Sequence, residues 1–235
     1  MPQLSCTDLT LGYDGKPVIA GLSFQINPGD YLCIVGENGS GKSTLIKALL
    51  RLNPQMSGEI IAGDDFVSRE IGYLPQQTDM QKDFPASVRE IVRSGCIGHS
   101  GRRPFYSRSE KKLAEEKMEM LGIASIAKSS YRELSGGQQR RALLARALCA
   151  ARSILLLDEP AAGLDPKASS DMYDIITDLN DGGITIVMVS HDVSASIRYA
   201  SHILHIGNGC ALFFGSKAQY ADSDIGKSYA SWKGA

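Results

Sequence analysis

The chain has 235 residues, 43% of them hydrophobic and 22% charged, with a formal net charge of −1. This is the balance of an ordinary soluble globular protein, and it supplies no global field to draw the chain onto nucleic acid or an anionic membrane. The longest apolar runs, such as Ile154 to Leu157 and Ile184 to Val189, fall far short of the roughly 20 residues that a bilayer-spanning helix needs.

The N-terminus, "MPQLSCTDLT", has neither a charged leader nor an apolar core, so no secretory signal is expected. Alternation in "LSCTDLTLGY" and "PVIAGLSFQI" predicts two strands joined by a turn at Asp14-Gly15. "YLCIVG" predicts a buried strand, followed by a glycine-rich loop and the helix "STLIKALLRL". "EIGYLPQQ" predicts a further strand that ends in a polar loop. From about residue 84 to 151 the pattern turns helical, with a polar, basic interruption at "GHSGRRPFYSRSEKK". Strands return at "SILLLDE" and "ITIVMVSHD", and a short strand pair is expected near "SHILHIGNGCALFFG". Alternating strands and helices predict an α/β core with a mostly parallel sheet, and the central helical stretch reads as an insertion into it. The expected division is a core of about 1–83 and 152–235, with an inserted subdomain at about 84–151, all within one domain spanning 1–235. Five scattered cysteines without CxxC spacing read as free thiols, not as a disulfide framework or metal site.

Three stretches carry chemistry. The first, "GENGSGKST" (Gly36 to Thr44), follows a strand and opens a helix. Glycines at 36, 39 and 41, with Asn38 and Ser40 between them, let backbone N–H groups converge on phosphate oxygens at the positive end of a helix dipole. Lys42 would reach the β- and γ-phosphates of ATP, and the Ser43 hydroxyl, next to Thr44, would ligate Mg²⁺. The second, "ILLLDEP", delivers Asp158 and Glu159 at the carboxyl end of a buried strand, where ligands of open α/β sheets bind. Asp158 can hold Mg²⁺ through water, and Glu159 can orient and deprotonate an attacking water. The third, "LSGGQ", places Ser135, Gly136, Gly137 and Gln138 at a helix start. Its plain structural role is a capped N-terminus; its chemical reading is a second anion grip, serving the γ-phosphate of an ATP held by another molecule.

These three stretches together resemble the ATP-binding subunit of ABC transporters, and the resemblance covers nearly the whole chain. It implies a P-loop NTPase of the ABC ATPase type, with a mostly parallel core sheet, N-terminal antiparallel strands and an inserted helical subdomain. It also implies a head-to-tail dimer in which each ATP lies between one phosphate loop and the other chain's signature. Further roles follow from it residue by residue. Tyr13 in "LGYDGK" would stack on adenine. Gln76 in "GYLPQ" would contact Mg²⁺ and the attacking water, with Gln77 as the alternative register. His191 in "VSHD" would contact the γ-phosphate, and Gly163-Leu164-Asp165 falls at the family's dimer-contact loop. The arginines 140, 141, 146 and 152 after the signature read for the most part as a solvated helix face.

The resemblance implies partners as well: separate transmembrane permease subunits docking on the helical insertion, a second copy of this chain, and a periplasmic or extracellular binding protein reached through the permease. Nucleic acid is not among them. The expected place is the cytoplasmic face of the cell membrane, as a peripheral subunit. Within the family, "IGYLPQQTDMQKDFPASVREIVRSG" resembles the zinc and manganese importer branch. Importers of iron-siderophores, haem or cobalamin are the alternative. A soluble ABC-type ATPase of translation or DNA repair, or a P-loop kinase, fits less well: the chain has one phosphate loop, no heptad tract, and an LSGGQ that a kinase would not need.

Overall fold

Strands buried on both faces carry the loops that matter here, and strands with one solvated face flank them. The computed structural model of the chain describes residues 1–63, 71–76, 85–100, 103, 105–191 and 197–232. In chain order the elements begin with β1 (Leu4–Tyr13), β2 (Lys16–Ile26), β3 (Tyr31–Val35), α1 (Lys42–Leu49), β4 (Ser57–Ala62) and β5 (Ile71–Leu74). Four helices follow: α2 (Val88–Ser94), α3 (Ile97–Ser100), α4 (Arg108–Met120) and α5 (Gly136–Ala150). Then come β6 (Ile154–Asp158), α6 (Pro166–Asp181), β7 (Thr185–Val189), β8 (His202–Gly207), β9 (Cys210–Ser216), α7 (Lys217–Asp222) and α8 (Asp224–Trp232). They fall into two units, Met1–Ser68 with Thr185–Ala235, and Arg69–Ile184.

In the first unit β3 is buried along its whole length and pairs in parallel with β7 and with β8, with Ile34 opposite Val189 and Val35 opposite His205. Unbroken apolar runs are what a parallel strand covered on both faces requires. β9 adds an antiparallel edge to β8. The predicted hairpin of β1 and β2 is present, and its turn residues Asp14 and Gly15 both have positive φ, at 50° and 75°. That is the two-residue geometry whose twist matches the flanking strands. β4, not foreseen from the sequence, pairs with the other side of β1. Its residues alternate between exposed and half-buried, but the residue types do not follow, with Ile61 on the exposed side, so "SGEIIA" carries no apolar–polar alternation to read. The first helix stops at Leu49, short of the predicted Leu52, because Arg51 takes a left-handed φ of 56° and turns the chain out of the helix.

In the second unit β5 and β6 pair in parallel, Ile71 with Ile154 through Leu74 with Leu157. Helix α5 packs against α2, α4 and β5. The approach to α2 is backbone-close: a Cβ on Gly95 would strike the carbonyl oxygen of Arg146 and lie 2.9 Å from Cys149 Cβ. Helices α2, α4 and α5 each start with a reciprocal capping box, at Ser87/Glu90, Ser107/Glu110 and Ser135/Gln138. Cysteines 6, 33, 96, 149 and 210 are free thiols, as expected. Among the described residues no helix is long and apolar enough to cross a membrane.

Candidate active site

The predicted site residues divide by unit. The phosphate loop, Tyr13 and His191 lie in the first; Gln76, Asp158, Glu159 and the signature lie in the second.

β3 runs straight into Gly36, whose φ is 150° and where any Cβ would strike the carbonyl oxygen of Ile206. Only glycine passes there. The loop then rises to Gly41, the cap of α1, at φ 103°. The first-turn N–H groups of α1 have no intrahelical acceptors and carry the positive end of its dipole. Lys42 is buried, and its Nζ donates to the carbonyl oxygens of Gly36 and Glu37, each at 2.8 Å, which bends the side chain back over the loop. Ser40 Oγ is buried without a hydrogen-bond partner. A buried hydroxyl costs about 1–3 kcal/mol when unsatisfied, and a phosphate oxygen inside the loop would satisfy it. Glu37, Asn38, Gly39 and Ser40 form one wall of a cavity of about 490 Å³. The Ser43 side chain is exposed at the start of α1, while Thr44 is buried beneath it. A hydrogen bond with Thr44 holds the Tyr13 hydroxyl below the usual tyrosine pKa; slight burial opposes this and Lys47 reinforces it. The ring itself is 43% exposed, with Lys47 Nζ 5.6 Å from its centroid, so a flat face is open for stacking. His191 is exposed just beyond β7.

In the second unit, register explains the geometry. Leu74 of β5 pairs with Leu157 of β6, so Gln76 and Glu159 each stand two residues beyond a matched pair. They meet: Gln76 Nε2 donates to Glu159 Oε2 at 3.3 Å. Glu159 adopts a φ of 50°, a conformation that costs a non-glycine residue about 1–3 kcal/mol and tends to cluster at functional turns. Asp158, one residue earlier, is buried. The Tyr73 hydroxyl is pushed up to about 12, first by burial and then by the charge of Asp158.

The signature forms the N-terminus of α5. Ser135 Oγ accepts from the N–H of Gln138 at 3.3 Å, and Gln138 Oε1 accepts from the N–H of Ser135 at 3.0 Å. Capping uses a lone pair of the serine and leaves its hydroxyl proton to donate elsewhere. Ser135, Gly136 and Gln138 are exposed, so this grip faces away from its own unit's core.

Two features go beyond the sequence reading. Of the four arginines that read for the most part as a solvated face, Arg140 is an exception: it is 1% exposed and reaches the carbonyl oxygens of Pro75 and Ala162. The sequence holds a partial signal, since "ALLARALCA" is apolar around most of the helix, and nine of the fifteen residues of α5 are buried. A groove of about 380 Å³ also opens in this unit, lined by Pro75, Ala86, Ile91, Tyr131 and Leu143, with Glu90 and Arg146 supplying opposite charges. Gln77, the alternative register for Gln76, lies outside the described residues, as does Phe84 of the importer-branch stretch.

Comparison with known proteins gives a consistent picture. The profile of a family described as "ABC transporter" matches residues 19–162. The manganese transport system ATP-binding protein MntB of Bacillus subtilis is 37% identical over 200 residues, which is 84% of this chain and 80% of that one. The zinc transport system ATP-binding protein TroB of Treponema pallidum is 36% identical over 200 residues, covering 84% of this chain and 75% of its own. Among solved structures, a chain of an ABC transporter in an inward-facing conformation aligns with a TM-score of 0.87 at 27% identity, over 98% of this chain and 90% of that chain.

Proposed function

We propose that this chain, which belongs to the ABC transporter family and is an ATP hydrolase of that family, is the motor subunit of a manganese or zinc importer. The observation that carries the motor reading is the contact between Gln76 Nε2 and Glu159 Oε2, which aims a general base and an amide at one point. The cargo follows from the manganese and zinc relatives, each matched over 84% of this chain.

The phosphate loop binds the triphosphate of ATP through the N–H groups of residues 36–44, Lys42 and the Ser40 hydroxyl, and Tyr13 stacks on the adenine. Ser43, Asp158 and Gln76 each carry a hard oxygen donor of the kind that would hold Mg²⁺. That ion would supply positive charge to offset the charge developing on the triphosphate. Two copies of the chain face each other head to tail. Ser135, the Gly136 and Gly137 N–H groups and Gln138 of one then grip the γ-phosphate held by the other. Glu159 takes the proton of the attacking water as it attacks the γ-phosphorus in line with the departing ADP oxygen. His191 donates to the γ-phosphate, and Gln76 orients the water. Positioning and electrostatic stabilisation supply most of the acceleration in such transfers.

Transmembrane permease subunits dock a cytoplasmic helix in the groove beside Pro75, the residue that precedes Gln76, so that docking and hydrolysis share one loop. The chain works as a peripheral subunit on the cytoplasmic face of the membrane. An extracytoplasmic binding protein hands the ion to the permease, and the cargo never touches this chain.

The test is uptake of labelled manganese, zinc and an iron-siderophore by cells making either the wild-type chain or Glu159→Gln. Loss of manganese or zinc uptake alone is the expected result. Loss of siderophore uptake alone would keep the motor and replace the cargo; no change in any of the three would end the importer reading.

A further inference from the structure

The guanidinium of Arg140 lies between the two backbones that carry the proposed catalytic pair. Nη1 donates to the carbonyl oxygen of Pro75 at 3.4 Å, and the next residue is Gln76. Nη2 donates to the carbonyl oxygen of Ala162 at 3.3 Å. Ala162 closes the turn that Glu159 opens, through its own N–H to the Glu159 carbonyl oxygen at 3.1 Å. One planar group therefore spans the loop bearing the amide and the turn bearing the base.

Burial alone does not account for an arginine here. The side chain is 1% exposed and its Nε has no hydrogen-bond partner, so part of its donor capacity is given up. An apolar residue of the same volume would fill such a space at no desolvation cost. Burial lowers the guanidinium's pKa, and the phenol of Tyr131 with the carboxylates of Glu159 and Asp158 oppose that. Both bonds are long, so the cation also acts through its field on those carboxylates. What arginine supplies that lysine does not is two donors at a fixed separation.

Arg140 also belongs to the helix that begins at the signature, five residues beyond Ser135. Helix α5 thus presents its exposed N-terminus outward and this buried clamp inward.

We propose that Arg140 is a positioning residue for ATP hydrolysis, holding Gln76 and Glu159 in contact from the helix that carries the signature. The inference rests on the reading of Gln76 and Glu159 as the hydrolytic pair. A tilt of α5 when the signature engages a second copy moves both carbonyl contacts, so engagement adjusts the pair that cleaves ATP.

The experiment measures kcat, KM and fluorescent-ATP affinity of the full chain as wild type, Arg140→Met, Arg140→Lys, Gln76→Ala, Glu159→Gln and the Arg140→Met/Gln76→Ala double variant. Arg140→Met should lose at least about tenfold in kcat while KM and ATP affinity stay within about twofold, and Arg140→Lys should recover part of the loss. The double variant should be no worse than its poorer parent, because both changes break one contact. A kcat for Arg140→Met equal to wild type, or losses that multiply in the double variant, would overturn the proposal. If Arg140→Met does not fold, Arg140→Lys decides: a kcat equal to wild type rejects the two-pronged clamp, and a loss with intact ATP affinity supports it. Failure of the underlying reading shows separately, as a Glu159→Gln variant that hydrolyses ATP at the wild-type rate.

Discussion

The phosphate loop and the signature, both proposed as anion grips, open helices α1 and α5 on opposite plans. The loop is folded inward: Gly36 is pressed against the Ile206 carbonyl, Lys42 is buried, and its ammonium rests on two carbonyls of its own loop. The signature is turned outward, with Ser135, Gly136 and Gln138 exposed and the serine tied to its own helix by a capping box. A grip that encloses its ligand can work within one chain. A grip that presents two glycine N–H groups and a hydroxyl proton to solvent needs something brought to it, and in the proposed sandwich a second copy of the chain, carrying its own nucleotide, would meet that need.

The sharpest way to break this contrast is at Glu159, the proposed base. Glu159→Gln keeps the shape of the carboxylate and removes its basicity, so kcat should fall about 10²- to 10⁴-fold while ATP affinity is retained. Light scattering with saturating ATP and Mg²⁺ should then show a dimer, and a monomer under those conditions would contradict the division of labour between the two grips. Next in size, Lys42→Ala removes charge-assisted contacts with phosphate and should weaken ATP binding about 10- to 100-fold, read by fluorescent-nucleotide titration. Unchanged affinity would show that the enclosed grip holds by its backbone alone.

How much of this was readable beforehand depends on what each feature rests on. The loop and the carboxyl-end acids were legible because their residue types sit at fixed spacing after apolar strands, and the parallel core followed from those runs. The contact between Gln76 and Glu159 was not derivable from the residues, since it depends on the register that sets Leu74 opposite Leu157. Which of the four arginines leaves the solvated face was not readable, because a charged residue on a helix is ordinarily solvated and only the packing of α5 on several sides buries Arg140. β4 escaped because its residue types do not follow its alternating burial, with Ile60 and Ile61 side by side, so the sequence shows no period of two.

Three smaller tests sharpen the same comparison. Gly95→Ala drives a methyl into the Arg146 carbonyl and should cost about 1–3 kcal/mol, seen as a lower Tm, with ATP affinity unaltered because the loop lies in the other unit. Ser135→Ala should lower stability by about 1 kcal/mol through loss of the cap, and should also abolish ATP-dependent dimerisation in the Glu159→Gln background. Retained dimerisation would demote the serine to a cap and nothing more.

The weakest effect concerns His205, which is buried in β8 beside the phosphate loop, with Nδ1 2.9 Å from the Tyr220 hydroxyl. Burial lowers its pKa below the ordinary value of 6.5; the charge of Glu37 opposes this and Lys42 adds to it. The unfolded chain therefore binds the proton first, so this histidine's contribution is intact above about pH 6.5 and is lost as pH falls below it. The Tm of wild type should drop between about pH 7 and 5 more steeply than that of His205→Gln. Parallel curves would remove His205 from the account.

The seam at Gly95 has a mechanical consequence. Helix α5 runs fifteen residues, about 22 Å at the usual rise per residue. Its far half lies backbone-to-backbone against the start of the turn that follows α2. Only the Cys149 Cβ and backbone atoms crowd the Gly95 side of that seam, so there is little soft material there to absorb a displacement of the helix. The closeness of this seam is set by one missing methyl group, and enlarging residue 95 would force the two helices apart at a point where there is no flexible side chain to rearrange.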